Sequence, residues 1–222
     1  MKLRFVIDKE YDINITLQMN KNLTRQMLER HYDNVLPQME IKQKEYQSSW
    51  DEIGDTFSEY IEKATGYGWF YPEYACVLSV VLRGVSNWGH EPKIMRTWEQ
   101  DSHTMRRMAA HELILSHYFE IYRRNYSEEG LKDGQVWALA EIAAFALTSL
   151  TKEAQSFWPE NAERYTNHNY PQIVDIQNGL KTVFIESMEK KNFDGYVKAG
   201  IELVKKYPDM GPWFDFSKIK SP

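Results

Sequence analysis

The chain has 222 residues, 42% of them hydrophobic and 14% aromatic, which is enough to bury a core and too apolar for a disordered segment. Its formal net charge is -5 and its basic residues are interspersed with acids, so neither nucleic acid nor an anionic membrane surface is an expected partner. The one cysteine, Cys76, lies in the apolar run ACVLSVV and cannot support a disulfide framework. With no apolar leader in MKLRFVIDKEYD and no run of about 20 apolar residues, a cytoplasmic protein is expected.

In chain order, residues 2–7 and 12–17 partly alternate apolar and polar side chains, which predicts two half-buried strands. A helix is expected from about Leu23, with Thr24 near its start and Pro37 as its break. Over 38–64 the residues Tyr46, Trp50, Ile53, Phe57, Tyr60 and Ile61 recur at spacings of three and four, with Met39 one heptad before Tyr46. That predicts one long amphipathic helix, weakened at Gly54. Gly66, Gly68 and Pro72 punctuate a loop. Residues 73–82 read as a strand, 84–92 as turns and 93–98 as a second short strand. A helix capped by Asp101 or Ser102 runs to about Asn125, and another covers 133–151. A polar and aromatic loop over 157–170 leads to helices at about 171–190, led by Pro171, and 193–206. Without an internal repeat or linker, a single domain over 1–222 is expected, α+β and mostly helical.

Two helices carry the residues of chemical interest. The first contains His111-Glu112-Leu113-Ile114-Leu115-Ser116-His117. A zinc-peptidase helix reads HExxH, with two imidazoles one turn apart on one face and a glutamate beside them to polarise a metal-bound water. His111 and Glu112 match the first two positions, while Leu115 stands where the second imidazole belongs. His117 is six residues from His111, about 120° around a regular helix, so a bulge would be needed to bring it to the same face. In the second helix Glu141 is the only charge between Val136 and Leu150. A buried carboxylate needs a metal, a proton or an ion-pair partner, and Arg106, Arg107 or a histidine are the alternatives to a metal. His90-Glu91 is a further HE pair, but Gly89 and Pro92 flank it and make it a turn. His31 and His103 read as ordinary residues near helix ends.

A strand, an HEL helix, and a second helix with a buried glutamate about thirty residues on resemble the gluzincin branch of the zincin metallopeptidases. More narrowly, the chain is similar to compact bacterial zincin-like proteins that read HELxHxxFxxY. The resemblance rests on His111, Glu112, Leu113 and Tyr118, then Ala140-Glu141-Ile142 and Tyr170-Pro171, and spans roughly 73–207. It implies a zincin-like fold with a small sheet beside the HE helix. It further implies zinc held by two histidines and Glu141, Glu112 as general base, and an edge strand that holds an extended peptide.

The chain departs from that pattern at Leu115, at Ile121 and Tyr122, and after Pro171, where it reads Gln172-Ile173-Val174. Two functions follow. In one, the protein is a zinc-dependent peptidase in which His111 and Glu141 bind the metal with His117 or His168 as substitute ligand. In the other, the metal motif is incomplete, catalysis is lost, and the cleft is kept to bind a peptide or protein segment. Leu115 favours the second.

Overall fold

The computed structural model describes residues 1–86, 91–158 and 171–210, with the side chains of 171 and 172 excepted. The protein is α+β and mostly helical, with one small mixed sheet, as the sequence predicts. The chain divides into two compact units, Met1–Gly54 with Tyr71–Ser116, and Asp55–Phe70 with the described residues from His117 onward.

The first unit holds the sheet, ordered β1-β2-β4-β3 from β1 (Lys2–Val6), β2 (Glu73–Ser79), β3 (Gly84–Ser86) and β4 (Lys93–Thr97). β1 and β4 both run parallel to β2, and β3 closes the sheet antiparallel to β4, with Val85 opposite Met95. The short β3 lies inside the stretch expected to be all turns. Three residues with a glycine at one end and serine at the other give almost no periodic signal.

Residues 12–17, expected as a strand, belong instead to helix α1 (Lys9–Met19). Asp8 caps it by accepting from the Tyr11 backbone N–H at 3.0 Å. Once the helix forms, Tyr11 and Ile15 share a face and pack on Val77, Val85 and Met95 of the sheet. Helix α2 (Arg25–Asp51) begins after its cap Thr24 as expected, yet passes straight through Pro37. A proline costs one backbone hydrogen bond there, but Leu28 and Tyr32 before it, and Met39, Tyr46 and Trp50 after it, are all buried, and their packing offsets the loss. The long helix expected over 38–64 is two. The chain breaks after Asp51 and resumes as α3 (Gly54–Thr65). A Cβ on Gly54 would stand 2.7 Å from the Trp50 indole nitrogen, so the bend closes onto Trp50.

α2 also seals one edge of the sheet. Gln47 accepts from the Phe5 N–H at 3.0 Å and donates to the Leu3 carbonyl at 3.0 Å, while Gln43 donates to the Phe5 carbonyl at 2.7 Å. Side-chain amides thus occupy the backbone groups that an unpaired outer strand would leave open. A fully buried carboxylate, Asp12, ties α1 to the rest of the unit. It accepts from Thr16 (3.2 Å), Ser79 (2.6 Å), Tyr32 (2.6 Å) and the Val80 N–H (2.9 Å).

Helix α4 (Ser102–Asn125) starts where expected, with Asp101 accepting from the Thr104 N–H at 2.9 Å. The second unit continues with α5 (Asp133–Ser149), α6 (Lys152–Ser156), α7 (Pro171–Glu189) and α8 (Phe193–Val204). α5 is buried from Gly134 through Ser149, as a helix apolar on all sides should be. Its close neighbour α8 presents Gly200, where a Cβ would lie 3.0 Å from Leu139. Tyr60 donates to the Leu147 carbonyl at 2.9 Å and Trp158 to the Thr148 carbonyl at 2.7 Å, satisfying the C-terminal end of α5. Among the described residues no helix is long and apolar enough to cross a membrane.

Candidate functional site

The HE segment lies on α4, which is α-helical throughout Ser102–Asn125 with no π-turn. His111 is half-buried and belongs with Glu112 to the first unit. Leu115, at the position of the expected second imidazole, is only 3% exposed.

Glu112 has defined partners. Its Oε1 accepts from Arg96 Nη1 at 2.9 Å and its Oε2 accepts from the Ser86 hydroxyl, which also reaches the Glu112 carbonyl at 3.2 Å. Arg96 comes from β4 and Ser86 from β3, so the carboxylate is held by two neighbouring strands. The ion pair is largely withdrawn from water, with the Arg96 and Glu112 side chains 12% and 8% exposed. A glutamate engaged in this way can anchor its helix.

Arg96 and Ser86 escaped the sequence reading. Their signal was the two-residue period of a strand, which puts Arg96 on the face of buried Ile94, where a charged residue needs an opposite charge.

Glu141 is buried on α5 in the second unit, as the apolar character of its helix predicts. His117 is in the second unit too. Its ring packs at a tilt against Trp69 and Phe70, with centroid separations of 4.7 and 5.3 Å. Arg124 sits over the Phe70 ring at 4.7 Å. Burial lowers the His117 pKa to about 4, against a backbone hydrogen bond at Tyr67 and the charge of Glu120, which pull the other way. The ring is therefore neutral at pH 7 and packs as an aromatic.

Among the described residues, no three His, Cys, Asp or Glu side chains form a group able to hold a metal ion. His90, His168 and Tyr170 lie outside those residues. Cys76 is fully buried, and burial raises its thiol pKa, so it is a poor nucleophile. Comparison with protein-family models, curated proteins and solved structures finds no match to this chain.

Proposed function

We propose that this protein is a zincin-like homologue that has given up the metal and the peptidase chemistry and acts by binding an extended peptide or protein segment. The observation that carries the reading is Leu115, a buried aliphatic side chain at the place of a zinc-binding imidazole. Two others support it. The Glu112 carboxylate is occupied by Arg96 and Ser86. An antiparallel edge strand, β3, lies directly against the HE segment, and no described strand pairs with its outer side. Edge strands of that kind bind extended chains through main-chain hydrogen bonds. The same reading takes the cytoplasm as the compartment, since the chain's one cysteine leaves no disulfide to maintain.

The test is zinc content, measured on protein purified without a metal-chelating tag, together with the variant Leu115→His. The parent is expected to contain no stoichiometric zinc and to show no zinc-dependent change in Tm. Leu115→His restores two imidazoles one helical turn apart. At zinc concentrations about 100 times Kd it should gain about 2.7 kcal/mol, a rise of roughly 5–10 °C in Tm. Stoichiometric zinc in the parent overturns the metal-free reading. A variant that ignores zinc removes the support for zincin kinship.

A further inference from the structure

We propose that Arg96 is the built-in counter-ion of the HE glutamate, and that Arg96, Glu112 and Ser86 together lock edge strand β3 onto helix α4, making Glu112 a positioning residue. This goes beyond the binding role above and stands on the first unit's own residues.

A three-residue strand with one neighbour has few ladder bonds and should be among the first parts of a sheet to open. On one face β3 is held by Val85, which packs with Tyr11, Ile15, Val77 and Met95. Gly84 and Ser86 point to the other face and bring no apolar surface there, so the grip on α4 has to be polar. Ser86 supplies it by donating to Glu112, and Arg96 completes it from β4.

Gly84 is shaped for this arrangement. A Cβ built on it would overlap both Arg96 Nη1 and Glu112 Oε1, so the guanidinium and carboxylate meet directly across the glycine. The Arg96 Nε–H is buried without an acceptor among the described residues. With the pair mostly out of water, removing one member leaves the other as a buried unpaired charge. Removing both does not. That asymmetry is the signature to look for.

The experiment is amide hydrogen exchange across 84–86 in the full chain, for Glu112→Gln, Arg96→Met, the double variant and Gly84→Ala. Each single charge variant should speed exchange across 84–86 at least about ten-fold, while amides of β1 keep the parent's rates. The double variant should be no faster than the faster single variant. Gly84→Ala should loosen 84–86 to a similar extent with both charges present, which keeps the test intact if Arg96→Met does not fold. Arg96→Lys, which retains the charge without the planar fork, should recover part of the protection. Unchanged exchange in Glu112→Gln, or effects that multiply in the double variant, would overturn the lock. Neither outcome alters the zinc content of the parent, so the lock and the metal-free reading fail separately.

Discussion

Asp12→Ala should cost about 3–5 kcal/mol of folding stability, since each buried donor left without an acceptor costs about 1–3 kcal/mol. Four donors converge on that carboxylate: the hydroxyls of Thr16, Ser79 and Tyr32 and the Val80 backbone N–H. Alanine removes all four acceptor interactions in a fully buried place, where water cannot replace them without a cavity to hold it. Thr16 can turn its hydroxyl to a backbone carbonyl of its own helix, and Tyr32 lies 3.5 Å from the Leu78 carbonyl, so these two lose least. The Val80 N–H has no such freedom.

Asp12→Asn should cost less, because one oxygen remains for two of the donors. The amide NH2 must then face the other two, and its tolerable orientation is toward Thr16 and Ser79, whose hydroxyls can rotate to accept. Ser79 already accepts from the N–H groups of Leu82 (2.8 Å) and Val81 (3.2 Å), so this variant should still fall measurably below the parent. Denaturant midpoints for the two variants order the effects, and Asp12→Ala within about 0.5 kcal/mol of the parent would contradict the account. The same burial raises the Asp12 carboxyl pKa above its ordinary value, against the pull of its four donors. The group thus favours folding most at low pH and loses that contribution as pH rises through its elevated folded pKa.

A second large effect is expected from His117, with the opposite sign. Burial against Trp69 and Phe70 lowers its pKa from 6.5 to about 4. The folded state therefore prefers the neutral ring. Its contribution is fully present above pH 6.5 and is lost as pH falls from there toward 4, where the unfolded chain has taken up the proton and the folded one has not. A shift of that size corresponds to about 3 kcal/mol at the acid end. His117→Phe keeps an aromatic ring against Trp69 and Phe70 and removes the titrating group. Its stability should track the parent at pH 8 and exceed it by about 3 kcal/mol near pH 4, read as the difference between the two in matched denaturation series. Parallel curves for parent and variant across that range would show that the ring is not held neutral.

These two sites illustrate what a linear pattern reveals and what it conceals. The α4 start at Asp101, the buried all-apolar α5, the proline-led α7 and the strands β2 and β4 were legible because each rests on local chemistry: a cap, a period, a φ-restricted residue. Residues 12–17 alternate like a strand, Pro37 breaks helices in isolation, and 38–64 keeps one heptad stripe. Contacts with distant residues overrode the first two preferences, and a local bend at a glycine interrupted the third. Asp12 meets Ser79 and Val80, Met39 and Tyr46 continue a buried stripe beyond the proline, and Gly54 folds the chain against Trp50.

The candidate site divides along the same line. From the sequence by itself came the residue types: His111 and Glu112 together on one helix, Leu115 one turn on from His111, and a buried Glu141 on an apolar helix. Only the tertiary structure decided which side chains Glu112 meets there, because Arg96 and Ser86 are separated from it by 16 and 26 positions. A helical repeat reports which residues share a face of one element. It carries no information about which side chain of another strand will be delivered to that face, since strand order and register arise from burial summed over the whole sheet.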